Sequence, residues 1–328
     1  MQPFTYHRAG SFDEAMREAA RPGAALLAGG TTMVDLMRGD LAAPSSLVDI
    51  GHLPGLSEIT TTGSALRFGA LARMADAAED PVVLRDYPAL AESLQLAASQ
   101  QLRNAATLGG NLLQRTRCVY FRNGVSACNK REPGSGCSAL DGEDREMALF
   151  GGSERCIATY PGDWGIALAA FDTAVEVRGA TGTRSIPFAD FHRPYGEDPA
   201  VETVLAPGEI ITAITVQATP AGRRSTYLKV RDRESYAYAV VSAAVALEMD
   251  GDIVRAARIA LGGVATKPWR APEAEAALVG RTLSEAVALQ AGEAAFAHAQ
   301  PRRQNAFKVE LGRRVVARAA MVAAARGN

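Results

Sequence analysis

Apolar and polar positions change period along this chain, and each change marks an element. Ser11 in an N-cap position, with Asp13 and Glu14 just after it, predicts a short helix over residues 11–20. Residues 25–39 read as a short buried strand, a glycine turn at Gly29-Gly30, and a helix stopped by Gly39. Strands are expected at 46–50 and 66–70, and helices at 73–80 and 87–98, the second leading into 99–111. A long turn-rich stretch follows, broken by Arg131-Glu132-Pro133-Gly134-Ser135-Gly136, Asp141-Gly142-Glu143-Asp144 and Gly151-Gly152. Beyond it, 164–170 reads as a helix, 174–177 as an alternating strand, and 209–216 as the clearest strand of all. Residues 220–224 read as a boundary or hairpin turn, followed by strands at 227–231, 238–248 and 255–261. Helices near 283–298 and 304–325 finish the chain, with Phe307, Leu311 and Val315 spaced by four on one face. No internal repeat or low-complexity tract interrupts this order.

Composition narrows the class. An apolar content of 48% in 328 residues supports a sizeable core and allows two or three domains. A net charge of −1 argues against a nucleic-acid or membrane-surface protein. The basic pairs Arg115/Arg117, Arg223-Arg224 and Arg302-Arg303 read as solvated faces. The start lacks an apolar run of signal-peptide length, and no run reaches the ~18 apolar residues of a membrane span. The chain is expected to be soluble, with export, if any, relying on a partner.

Two stretches carry candidate chemistry. At Gly29-Gly30-Thr31-Thr32 the glycines let the backbone approach a ligand and aim amide hydrogens at a phosphate, while the threonines add hydroxyls. The turn lacks the third glycine of the dinucleotide fingerprint and the lysine of a P-loop, so alone it is a weak signal. The second stretch holds every cysteine: Cys118, Cys128, Cys137 and Cys156, with nine, eight and eighteen residues between them. A disulfide framework suits small secreted domains. Structural zinc favours ligand pairs two to four residues apart, which are absent here. An iron–sulfur cluster takes four thiolates from separate turns. Unliganded buried thiols remain open too, because Cys is often a small apolar residue. On spacing, iron–sulfur leads without excluding the others, and ligation would order a stretch that otherwise lacks burial.

Taken together, Ala28-Gly29-Gly30-Thr31, Leu47-Val48-Asp49-Ile50, Phe68-Gly69-Ala70-Leu71, the run from Arg103 to Asn111, and Ala260-Leu261-Gly262-Gly263-Val264 resemble the FAD-binding subunit of molybdenum hydroxylases. That family includes xanthine dehydrogenase, carbon monoxide dehydrogenase and aldehyde oxidoreductases. The segments around the cysteines (Asn111 to Cys118, Cys128 to Arg131, Pro133 to Cys137, Cys156 to Ala158) resemble the flavin subunit of bacterial periplasmic-type aldehyde oxidoreductase. In that branch an inserted loop carries a [4Fe–4S] cluster, as a comparable loop does in 4-hydroxybenzoyl-CoA reductase. The resemblance implies Cys118, Cys128, Cys137 and Cys156 as cluster ligands. It implies Leu26, Leu27, Ala28, Gly29, Gly30, Thr31, Thr32, Met33 and Val34 around the FAD pyrophosphate, and Thr107, Gly110 and Asn111 as a second turn against the dinucleotide. Asp163 would bind the ribityl chain, or cap the helix before Trp164, or both. Ile211 and Lys229 would line the flavin ring, and Tyr236 or Tyr238, read as strand tyrosines, is a candidate to cover it.

The implied fold is α+β. An FAD-binding domain of the PCMH type spans 1–219, with a small parallel-sheet lobe, an antiparallel lobe and an inserted loop at 112–160. A C-terminal sheet-and-helix domain of the carbon monoxide dehydrogenase flavoprotein type spans 220–328. The implied role is electron relay: a molybdenum-cofactor large subunit oxidises an aldehyde, a [2Fe–2S] small subunit passes the electrons on, and FAD here delivers them to an external acceptor. No residue of this chain is expected to act as a general base. The alternatives are a self-sufficient flavin oxidoreductase of the same fold, the flavin subunit of a xanthine dehydrogenase or hydroxybenzoyl-CoA reductase-like complex, and a zinc-stapled, non-redox interaction subunit. The compartment, cytoplasm or periplasm, stays open.

Overall fold

The computed structural model describes residues 1–326; residues 327 and 328, the end of the expected C-terminal domain, lie outside the described residues. The first layer is a three-stranded parallel sheet of β1 (Thr5–Arg8), β2 (Ala24–Leu27) and β3 (Ser46–Asp49), in the order β1-β3-β2. Helix α1 (Phe12–Ala19) joins β1 to β2, capped by the Ser11 hydroxyl accepting from the Glu14 amide. Helix α2 (Met33–Arg38) follows the glycine turn and ends at Gly39, as its sequence predicts.

The second layer is a five-stranded antiparallel sheet in the order β4-β5-β8-β6-β7. Its strands are β4 (Ile59–Thr62), β5 (Ala65–Gly69), β6 (Thr173–Gly179), β7 (Gly182–Pro187) and β8 (Ile210–Gln217). Between β5 and β6 run α3 (Met74–Glu79), α4 (Pro81–Asp86), α5 (Pro88–Gln95), α6 (Gln100–Ala105), α7 (Leu108–Leu112), α8 (Val119–Arg122) and α9 (Asp163–Ala169), and α10 (Phe188–Phe191) follows β7. Trp164 on α9 is fully buried, edge-on to Phe68 with ring centroids 5.8 Å apart, at the centre of the larger core.

The third layer is an antiparallel sheet in the order β12-β11-β10-β9, from β9 (Ser225–Val230), β10 (Val241–Asp250), β11 (Ile253–Gly262) and β12 (Trp269–Arg270). Strand β10 is buried on both faces, and the alternation of its side chains divides two cores. Ala244 and Ala246 face the core around Trp164, while Ala243, Val245 and Leu247 face α11 (Pro272–Leu278), α12 (Glu285–Ala295) and α13 (Phe307–Ala325). Small residues on the first face let the two halves approach closely. On α13 the buried stripe is Lys308, Gly312, Val315, Val316, Ala319, Ala320 and Ala323, whereas Phe307 is 40% exposed. Of the expected face, Val315 is buried and Leu311 packs against the core, whereas Phe307 is exposed; the stripe begins instead at Lys308, with Gly312 admitting the Phe296 ring. Among the described residues no helix is long and apolar enough to cross a membrane.

His192 fixes the joint between this core and the start of the cysteine loop. Its ring lies among Tyr160, Phe188 and Phe191, and its Nε2–H donates to the Leu112 carbonyl at 3.2 Å. Burial pulls its pKa from 6.5 down to about 4. Between those values the unfolded chain takes up a proton that the folded chain refuses, so stability is full above pH 6.5 and falls as pH drops toward 4. The loss reaches about 3 kcal/mol. Urea denaturation at pH 7 and pH 4.5 should show most of this difference, and His192→Gln should reduce it by about 2 kcal/mol.

Candidate flavin and thiol sites

Two glycine turns meet at one cavity of about 480 Å³, a size ordinary for a cofactor site. The first turn joins β2 to α2, and Gly30 holds a positive φ of 75° there. A Cβ at Gly29 would land on the Ala105 carbonyl, so the two turns touch where only glycine fits. Among the described residues no acceptor takes the backbone N–H of Gly29, Gly30, Thr31 or Thr32, and the Thr32 hydroxyl caps nothing. The second turn, 105–111, is pinned to the end of β5: the Leu108 amide donates to Ala72 and the Gly109 amide to Ala70. Thr107 caps α7 through Gly110, and the buried Oδ1 of Asn111 has no hydrogen-bond partner. A buried acceptor left without a donor suits a ligand with donors of its own.

The expected flavin contacts are placed as follows. Leu26, Ala28, Gly29, Gly30, Thr31, Thr32 and Met33 line the cavity, as do Thr107, Gly110, Asn111, Asp163 and Ile211. Leu27, Val34 and Lys229 do not: Val34 is 41% exposed, and Lys229 lies behind Asp163. Asp163 is not an N-cap either; Gly162 holds that position and no side chain caps the helix. Instead Asp163 Oδ1 accepts from the Tyr227 hydroxyl at 2.6 Å and Oδ2 from Lys229 Nζ at 2.9 Å. Burial pushes its carboxyl pKa up, against the pull of Lys229 and Tyr227. Tyr236 and Tyr238 sit on the loop before β10 rather than on a strand, and only Tyr238 lines the cavity.

The basic pair Arg115 and Arg117 is not a solvated face. Both side chains line the cavity. Arg115 Nε donates to Glu202 at 3.0 Å, and Arg117 donates to Asp35 at 3.1 Å while lying over the Tyr238 ring. Charge spacing alone gave no sign of these partners, which are 87 and 82 residues away in sequence.

The four cysteines, all reduced, line a second cavity of about 10 Å³. Cys128 and Cys137 pair across a bridge, and Cys137 and Cys156 share a sulfur hydrogen bond. Backbone N–H groups of Tyr120 and Phe121 donate to Cys118, those of Ala139, Leu140 and Ile157 to Cys137, and that of Ala158 to Cys156. With the Cys156 thiol donating as well, Cys137 is pulled down to about pKa 6, while Cys156 is pushed up. Among the described residues no group of three or more His, Cys, Asp or Glu closes around a single metal ion. The loop does not lack burial, contrary to expectation: Phe121, Ala139, Met147, Leu149 and Ile157 are all buried. It is tied to the start of α13 by Gln304 with Asp144, and by Asn305 and Lys308 at the Met147 carbonyl. These long-range hydrogen bonds supply order that turn composition does not reveal.

A third cavity of about 150 Å³ lies between the other two; it shares Arg117, Asp163 and Tyr238 with the first and Cys118 with the second. The thiol cavity and the large cavity thus both border the third.

Residues 2–218 match the family model for the FAD binding domain in molybdopterin dehydrogenase, and residues 226–323 that for the CO dehydrogenase flavoprotein C-terminal domain. The chain is 47% identical over 320 residues to the aldehyde oxidoreductase FAD-binding subunit PaoB of Escherichia coli, covering 97% of each. It is 30% identical over 270 residues to the nicotine 6-hydroxylase medium subunit of Paenarthrobacter nicotinovorans, covering 82% of this chain and 77% of that one. Its fold matches carbon monoxide dehydrogenase from Hydrogenophaga pseudoflava with a TM-score of 0.77 at 27% identity, over 99% of this chain and 98% of the other. The chain therefore belongs to the FAD-binding subunits of the molybdenum-hydroxylase and carbon monoxide dehydrogenase flavoprotein family. It is a redox subunit of an oxidoreductase, and the α+β architecture is that of the family's PCMH-type fold.

Gly29→Ala should force the first turn away from Ala105 and weaken FAD binding at least about tenfold. Gly63→Ala, whose added Cβ meets nothing within 4 Å, should leave it unchanged. Fluorescence titration with FAD distinguishes the two.

Proposed function

We propose that this chain is the FAD- and [4Fe–4S]-binding electron-transfer subunit of a molybdenum-dependent aldehyde oxidoreductase. In the proposed complex it stands beside a molybdenum-cofactor large subunit and a [2Fe–2S] small subunit, and passes electrons from them through FAD to an external acceptor. Its FAD-binding part is taken as 1–219 and its C-terminal part as 220–328. The similarity to an aldehyde oxidoreductase FAD-binding subunit along 97% of the chain supports the reaction class. The observation that carries the relay is the convergence of all four thiols on one cavity, which a small third cavity links to the large one through Cys118, Arg117, Asp163 and Tyr238.

The donor set suits a cluster: four soft sulfurs, no hard oxygen ligand, and backbone N–H groups aimed at the sulfurs. Cys118, Cys128, Cys137 and Cys156 would hold the cluster, which would supply a one-electron centre near the flavin.

FAD supplies the hydride and single-electron chemistry when bound. The chain's own residues position it. The amides of Gly29 to Thr32 and the helix start behind them favour the anionic diphosphate. Asn111 Oδ1 offers an acceptor, and Ile211 an apolar wall. Asp163, held by Tyr227 and Lys229, presents a fixed carboxylate at the cavity edge.

Iron and acid-labile sulfide on the purified chain should each approach about four atoms, with about one FAD. Cys128→Ser should lose the cluster and loosen residues 118–156, with flavin retention weakened as a secondary effect. Ser126→Ala, on the exposed loop turn, should change none of these. One zinc and no sulfide would overturn the relay role and leave the loop a structural clip.

A further inference from the structure

Helix α2 borders both the flavin cavity and the packing around the thiols. On one side Met33 and Leu36 line the large cavity. On the other, Leu36 packs with Phe121 and Cys128, and with Cys118 at the edge of the same cluster. Asp35, one turn after the glycine turn, accepts two charge-assisted hydrogen bonds from the cysteine loop. Arg117 Nη1 donates at 3.1 Å and Arg122 Nη2 at 2.7 Å. Those arginines bracket the segment that begins with Cys118 and contains all of α8. Arg131 fixes the same segment from behind, donating to the carbonyls of Tyr120 and Phe121 at 2.9 Å.

Arg117 touches both sides. It precedes Cys118, lies over Tyr238 with its guanidinium 5.0 Å from the ring centroid, and lines the large cavity. Its Nε is buried and has no acceptor among the described residues. A buried guanidinium N–H without a partner costs free energy unless a ligand supplies one.

We propose that Asp35 and Arg117 are positioning residues that make occupancy of the flavin cavity and closure of the thiol site interdependent. A bound dinucleotide diphosphate fixes the glycine turn and the start of α2. The same helix carries Asp35, which holds Arg117 and Arg122 and with them the backbone around Cys118. By reciprocity, a closed thiol site favours the flavin by the same factor. The inference rests on the large cavity being the FAD site, and does not depend on which metal the thiols hold.

The test is the rate at which the four thiols of the full-length, metal-free chain react with a thiol-specific disulfide reagent, with and without saturating FAD. In the unaltered chain FAD should slow the reaction about tenfold, within the 5–150-fold range usual for coupled sites. In Asp35→Asn, FAD at saturation should protect less than about twofold, and Asp35→Glu should restore part of the protection. Asp35 is 41% exposed on its side chain, so the fold tolerates the change. Equal rates with and without FAD in the unaltered chain would overturn the proposal, as would full protection in Asp35→Asn. Hydrogen exchange at residues 118–122 tests it without a variant: FAD should slow exchange there, and unchanged exchange would overturn it. A chain that binds no FAD at all would instead sink the reading of the large cavity.

Discussion

The buried carboxylate of Asp163 is the contact on which the two halves of the molecule close. It stands at the start of α9, inside the larger core, and its partners Tyr227 and Lys229 both come from β9 of the C-terminal sheet. The Lys229 and Asp163 side chains are 1% and 6% exposed, so both charges have been taken out of water. Such a pair is tolerable when further hydrogen bonds offset the lost hydration. Here Lys229 Nζ also donates to the Leu96 carbonyl just past α5, and the second carboxylate oxygen accepts from Tyr227. One ion pair therefore joins α5, α9 and β9 and sets one edge of the large cavity. A carboxylate placed this way is fixed in direction before any ligand arrives, which is what a cofactor site requires.

Around that joint the cysteine loop is an integral layer rather than an appendage. Its near end hydrogen-bonds α2 through Asp35, and its far end returns at Tyr160 and Asp163. Its middle is held by the start of α13, and its outer flank by Lys130, whose buried ammonium binds Glu202 at 2.6 Å over the Tyr195 ring. The loop thus packs against both α2 and the start of α13, each of which contributes to its frame. The physical consequence is short separation: Cys118 and Asp163 line the same small cavity.

Much of this was legible in the sequence where local chemistry decides the outcome. Gly29-Gly30 before a helix, and Ser11 before acidic residues, force a turn and a cap on any fold that contains them. The alternation over 209–216 and the apolar run in β10 predict strands because the sheet has to bury them. What sequence could not show is long-range. Strand β7 buries only Ile186, so its edge position left no alternation to read. Arg115 and Arg117 looked like surface charges because their carboxylate partners lie far off in the chain. Asp163 looked like a cap because Trp164 opens an apolar run, whereas its partners come from another sheet. The order of the cysteine loop was likewise hidden, since it comes from Asn305, Lys308 and Gln304 more than 150 residues away.

The account stands or falls on whether one chain carries two redox centres side by side. Stepwise anaerobic reduction of the purified chain by dithionite, followed in the visible range, counts them directly. Uptake of about three electrons per chain is expected, two for the flavin and one for the cluster. A chain that holds its full complement of FAD yet accepts only about two electrons would contradict it.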